Sequence, residues 1–127
     1  MLINTPISLG ELVDKISILI IKKKNISDPI KLEHVTKELQ FLQKTLWKYI
    51  SEDEINKAIH DLININSKLW NIEDDIRECE RKKIFDQTFI DLARSVYFTN
   101  DERAKIKNDI NKSFGSELVE VKSYEEY

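Results

Sequence analysis

The chain has 127 residues, of which 41% are hydrophobic and 34% charged, and its formal net charge is −3. This length suits one domain with a single buried core, and the scarcity of turn formers (two Gly, two Pro) favours long helices over many short strands. The acidic balance creates no overall field that would draw the protein to nucleic acid or to an anionic membrane, so neither is expected as a partner.

The first predicted helix begins at Ser8, which forms an S-x-x-E capping box with Glu11, and it runs to about Lys24. Most of its apolar side chains share one face at 100° per residue, but Ile18 and Ile21 fall roughly opposite that face. We therefore expect this helix to be covered on two sides.

The second and third predicted helices are marked by local caps. Asp28 is the expected N-cap of helix 2, with Pro29 at its first helical position. Ser51 with Glu54 forms a second capping box, at the start of helix 3. The two helices are expected to end at about Ile50 and Lys83. Apolar residues recur every three or four positions in both, so the sequence predicts that they pair as a long antiparallel hairpin.

A fourth helix is predicted over about residues 86–97. Thr99 with Glu102 forms a third capping box, which predicts that a fifth helix begins there and ends at Gly115. Residues 115–127 are expected either to dock as an extended strap or to stay mobile. The sequence thus predicts an all-α, single-domain bundle of about five helices, built on the hairpin of helices 2 and 3.

The N-terminal sequence and the single cysteine bear on the compartment. The apolar run from Ile16 to Ile21 is too short to span a bilayer, and it lacks the basic start and cleavage site of a signal peptide. Cys79 cannot form an internal disulfide, and no second thiol or nearby histidine completes a zinc pattern. A cytoplasmic protein is therefore expected, with no metal and no cofactor.

Charged residues also occur where apolar ones are expected. The phase of helix 3 places Glu73 and Glu80 inside its apolar face, with Asn66 at the edge, and Arg103 lies in line with the apolar residues of helix 5. A buried carboxylate needs a cationic partner. We therefore expect Arg103 to meet Glu73 or Glu80, and Arg77 to extend the network by one turn.

Two interpretations of this group remain open. In the first, it is an ion network that sets the register of the helices. In the second, forked guanidinium groups clamp a phosphate or carboxylate ligand. The position of Arg94 distinguishes the two interpretations. By its helical phase it lies in solvent if the network is structural, whereas a binding site would bring it into a pocket shared with Arg103. The candidate ligand-binding residues are Lys15, Glu73, Arg77, Glu80, Arg94 and Arg103.

The favoured function is a binding or assembly module, and the two-sided helix 1 and the apolar seam of helix 2 predict a homodimer, with a further protein partner left open. The alternative is an enzyme or sensor acting on an anionic small molecule, with Glu73 or Glu80 as general base. Glu11 and Asp14 have the E-x-x-D spacing that all-helical nucleotide pyrophosphatases use for Mg²⁺, but no second E-x-x-E accompanies them. A metal site is therefore not expected.

The chain resembles an uncharacterised family of short bacterial and viral proteins, domain of unknown function 6165, in three blocks: PISLGELVDKISILIIKKKNISDPIKL, LWNIEDDIRECER and FIDLARSVYFTNDERAKIKNDINKSFGSELVEVKSY. The blocks cover most of the chain outside the middle of the predicted hairpin and the last residues. The resemblance implies a single-domain helical protein without an assigned activity, substrate or cofactor, and it supplies no catalytic residues. Its blocks do include the Glu73/Arg77 and Arg94/Arg103 segments.

Overall fold

A computed structural model describes the whole chain, Met1 to Tyr127, and contains four α-helices and no strand. The helices are α1 (Leu9–Asn25), α2 (Pro29–Leu46), α3 (Glu52–Lys82) and α4 (Gln87–Ser113). The prediction of an all-helical protein is confirmed. None of the four helices combines the length and the hydropathy that crossing a bilayer requires.

The helices begin where short-range caps predict. Ser8 Oγ accepts the N–H of Glu11, and Ser51 Oγ both accepts the N–H of Glu54 and donates to its carboxylate at 2.7 Å. Asp28 and Asp86 cap α2 and α4 in the same way. At the other end of α3, Lys83 adopts a left-handed conformation with a φ of 54°, which stops the helix.

The predicted break between a fourth and a fifth helix is wrong. One continuous helix of 27 residues, α4, runs through Thr99 and Glu102. Thr99 lies in the interior of α4, where it is 1% exposed, and the N-cap of this helix is Asp86. The helix continues because α4 packs against α3, and tertiary contact outweighs a local cap signal. The count of five helices is corrected to four.

The predicted pairing of the second and third helices is also wrong. No Cα atom of α2 lies within 8 Å of one in α3. Instead α1 contacts each of the other three helices, and the long helical hairpin consists of α3 and α4. The apolar seam of α2 must be covered by another element, but the seam does not determine which one. Here α1 covers it.

The core surrounds α1, which confirms that this helix is covered on two sides. Val13 and Ile16 have no exposed surface, and Ile21 on the opposite face is 5% exposed. Val13 and Ile16 pack with buried residues of the other helices, among them Val35, Leu39, Leu46, Ile55, Leu62 and Ile110. Because helices of the same chain cover both faces of α1, this helix no longer argues for a second subunit.

The far part of the α3/α4 hairpin lies outside this core. We call residues 73–98 the arm; it comprises the end of α3, the connecting loop and the first part of α4. No residue of the arm is buried. The last residues, 116–127, form neither helix nor strand, but Glu120 and Tyr127 contact Lys107 and Asp101 of α4.

Candidate functional site at the junction of α1, α3 and α4

Asp14 is a carboxylate that the fold encloses, with 1% of its surface exposed. Arg103 of α4 donates to it with both Nε, at 3.0 Å from Oδ1, and Nη2, which bonds Oδ2. Asn66 of α3 donates to the same carboxylate at 2.9 Å and to Ser17 Oγ at 2.8 Å. Three helices therefore meet at one charged group whose oxygens are both hydrogen-bonded.

Lys107 forms the second part of the cluster, one turn further along α4. Its ammonium group lies 2.7 Å from Glu11, 3.0 Å from Glu120 and 4.0 Å from Asp14 Oδ2. Burial lowers the pKa of Lys107, but the hydrogen bonds to Glu11 and Glu120, together with the charges of Asp14 and Glu11, outweigh it and raise the pKa. The hydrogen bonds to Asp14 likewise raise the pKa of Arg103, against the opposing effect of burial. Both cations are thus held in the charged form.

A close approach of α1 to α4 positions this cluster. The N–H of Gly10 donates to Asn111 Oδ1 at 2.7 Å, which satisfies one of the free N–H groups in the first turn of α1. A Cβ atom on Gly10 would lie 2.5 Å from the carbonyl oxygen of Lys107. Only glycine therefore lets the two backbones come this near, and Asp14 follows one turn later, beside Arg103.

The predicted contact of Arg103 with Glu73 or Glu80 is wrong, because Arg103 binds Asp14. Glu73 pairs instead with Arg77 at 3.3 Å, with side chains 45% and 69% exposed. Glu80 pairs with Lys83 at 2.9 Å, also in solvent. The apolar face of α3 continues into the arm, where no residue is buried, so an acid on that face does not need a partner from another helix.

The structure brings three of the six candidate residues to one place. Glu73, Arg77 and Arg103 line a groove of about 470 Å³ between α1, α3 and α4. The other three, Lys15, Glu80 and Arg94, do not line it. Arg94 is exposed, with its guanidinium carbon 5.9 Å from the ring centre of Phe98. By the criterion that the sequence offered, Arg94 therefore stays in solvent and does not share a pocket with Arg103.

Sequence reasoning missed Asp14 and Lys107 as members of the cluster, although a signal for each exists. At 100° per residue, Gly10, Ser17 and Ile21 all lie within about 60° of Asp14. Asp14 thus lies on the second covered face of α1. Lys107 follows Arg103 by four residues and so shares its face of α4.

The cluster is suited to holding helices and orienting Arg103. The oxygens of Asp14 bind Arg103 and Asn66, and the carboxylate of Glu11 binds Lys107. The E-x-x-D pair of α1 is thus occupied by cations of the chain itself. No three His, Cys, Asp or Glu side chains group in a way that could hold a metal ion. What remains open to a ligand is the outer side of Arg103, in the groove.

Comparison with known proteins identifies the family. The sequence model of a family of unknown function, DUF6165, matches residues 3–127, so the chain belongs to this family. No curated protein and no solved structure matches the chain.

Proposed function

We propose that this member of the DUF6165 family is an assembly module, in which the arm of one chain pairs with the arm of a second copy in antiparallel orientation. The observation that carries the proposal is that none of the residues 73–98 is buried, although apolar side chains line the inner faces of both helices. Two helices alone can cover only part of such a seam.

The seam of the arm is half exposed along its length. Its members are Ile76 and Cys79 on α3 and Phe89, Leu92 and Val96 on α4, all of intermediate exposure. Larger apolar side chains at the tip and on α4 are more exposed still: Ile84 45%, Phe85 53% and Ile90 47%. A second pair of helices laid on this seam would complete a four-helix bundle and remove these groups from water.

The charge pattern of the arm favours a second copy as the partner. The root of the arm on α3 is acidic, with Glu73, Asp74 and Asp75 in succession, and its tip is basic, with Arg81, Lys82 and Lys83. The centres of these two runs are about 12 Å apart along the helix at 1.5 Å per residue. An antiparallel pair related by a two-fold axis would set each basic tip beside the acidic root of its partner.

The size of the arm limits the interface that it can form. A standard interface uses about 20–30 residues from each partner, and only one face of residues 73–98 can meet a second copy, so we expect a dimer interface at or below the small end of that range. Within one chain, the cations of the tip pair with acids of their own helix, for example Arg81 with Glu78 at 2.6 Å, whereas Asp74 and Asp75 of the root form no ion pair. The hydrogen bond from Arg81 lowers the pKa of Glu78.

Light scattering combined with cysteine cross-linking tests the proposal. The two-fold axis would pass near residue 78, so the two Cys79 residues of a dimer would lie close together, and each chain has no other thiol. We expect a mass of twice 15.0 kDa at micromolar concentration and efficient cross-linking by a short bis-maleimide. A mass of one chain at all accessible concentrations would overturn the proposal.

Two sets of variants serve as controls. A Cys79→Ser chain with Lys57→Cys, whose side chain is 89% exposed and outside the arm, should dimerise without being cross-linked. Asp74→Lys with Asp75→Lys should weaken the dimer, and so should Arg81→Glu with Lys82→Glu. The four changes together should restore it, because the charges of root and tip are then exchanged. If none of these changes alters the strength of dimerisation, the interface does not lie between root and tip.

A further inference from the structure

We infer that the groove beside the Asp14–Arg103 pair binds the carboxylate of a small organic monoanion with an apolar or aromatic body. The inference depends on Arg103, Asn66 and Trp70, which lie outside the arm, although Glu73, Asp74 and Arg77 of the arm also line the groove. The groove holds about 470 Å³, the size of a small-molecule site.

Arg103 is the group that would bind the carboxylate. Asp14 occupies its Nε and Nη2, and Nη1 donates to no group of the protein. The side chain is 27% exposed and it lines the groove. A guanidinium has five N–H donors, so the edge formed by Nη1 and the second N–H of Nη2 can bind a further carboxylate with two parallel hydrogen bonds. The buried Asp14 holds the arginine in place, which lowers the ordering cost of binding.

Asn66 is a second oriented polar group. It is 6% exposed, and its amide nitrogen is committed to Asp14 and Ser17. Its carbonyl oxygen accepts no hydrogen bond from the protein and is not enclosed. Because Asn66 lines the groove, this oxygen can accept a hydrogen bond from a hydroxyl or amine of the ligand.

The charges and apolar groups of the groove select the class of ligand. Three cations line it, Lys22, Arg77 and Arg103, and two carboxylates, those of Glu73 and Asp74. The buried Asp14 offsets the charge of Arg103, so the lining and Asp14 together are neutral. One added negative charge disturbs this balance less than the two of a phosphate dianion. Trp70, Ile18 and Leu69 supply an apolar surface for the body of the ligand.

A titration observed by NMR at the indole N–H groups tests this inference. The chain has two tryptophans, Trp70 in the groove and Trp47 at the end of α2, outside it. The probes are phenylacetate, the neutral phenylacetamide and inorganic phosphate. We expect phenylacetate to shift the Trp70 signal saturably in the millimolar range while Trp47 does not move. Phenylacetamide and phosphate should leave both signals in place.

Variants of two neighbouring lysines supply the control. Lys22→Gln should weaken phenylacetate binding about threefold, the effect of one partly exposed charge. Lys23→Gln, which removes an exposed charge that does not line the groove, should leave binding unchanged. Neither change disturbs the Asp14–Arg103 pair. No saturable shift at Trp70, an equal shift with phenylacetamide, or saturable binding of phosphate would each overturn the inference. Light scattering measures dimerisation, whereas the NMR titration measures ligand binding. The assembly proposal can therefore fail without affecting this result.

Discussion

Arg103 donates two hydrogen bonds to the carboxylate of Asp14, although 89 residues separate the two in the chain. The pair links the first helix to the last at a point where Asn66 also attaches α3. Since α1 contacts every other helix, this link sets the relative positions of α1, α3 and α4.

Replacing Asp14 by Asn should destabilise the protein strongly. The change leaves the guanidinium of Arg103 partly desolvated without a counter-charge, and we expect a loss of about 3 kcal/mol in the free energy of unfolding. Urea denaturation followed by circular dichroism measures it. Glu73→Gln is the matched control, because its ion pair is exposed, and it should cost no more than about 0.5 kcal/mol. Equal losses would contradict the distinction between the two acids.

A methyl group on Gly10 should force α1 away from α4. Gly10→Ala places a Cβ atom 2.5 Å from the carbonyl oxygen of Lys107, which belongs to backbone and cannot rotate aside. We expect a loss of about 1–3 kcal/mol from overpacking, even though alanine favours the helix by about 1 kcal/mol. The thermal midpoint of unfolding reports the change. Gly115→Ala is a useful comparison, since a Cβ atom added at Gly115 would have no neighbour within 4 Å. Only the φ of 67° at this position opposes the substitution. A stabilised Gly10→Ala variant would show that the helices do not approach so closely.

Stability should decline in alkaline solution as Lys107 loses its proton. The pKa of Lys107 is raised in the folded protein, so its contribution is complete below the pKa of the unfolded chain, about 10.4, and is lost as the pH rises through the higher folded value. The free energy of unfolding in urea should therefore fall above about pH 10.5. In Lys107→Met, which cannot titrate at this position, the decline should be shallower. Parallel curves for the two proteins would argue against the assignment.

The hydroxyl of Tyr127 should ionise at a higher pH than that of an ordinary tyrosine. Its hydroxyl donates to Asp101, and this hydrogen bond raises the pKa of Tyr127 to about 12. The difference in tyrosinate absorbance between the protein and Tyr127→Phe isolates this titration. Asp101→Asn should move the midpoint down toward the unperturbed value of about 10, whereas Asp109→Asn, also on α4, should leave it in place. An unchanged midpoint in Asp101→Asn would show that the last residues do not dock on α4.

Interactions between residues close together in the sequence could be predicted, whereas interactions between distant residues could not. Ser8, Ser51 and Asp28 act on N–H groups two or three residues away, so the starts of α1, α2 and α3 could be read directly. Thr99 shows the limit of such signals. The same capping pattern is present there, but the residues before it are held in the helix by α3, and the cap does not form.

The charged cluster shows the same division. Helical phase predicted that acids of α3 and Arg103 lie on apolar faces and that Asn66 lies at the edge of the α3 face. In the structure Asn66 is buried and donates to Asp14. It could not show that the apolar face of α3 runs out of the core into the arm, which leaves Glu73 and Glu80 in water.

The sequence by itself determined that the protein is helical and where α1, α2 and α3 start, because capping and periodicity act over a few residues. Only the tertiary structure decided that α1 lies among the other three helices and that Asp14 is the partner of Arg103. The physical reason is that an apolar face or a buried cation requires some complement, and which distant group supplies it depends on how the whole chain packs.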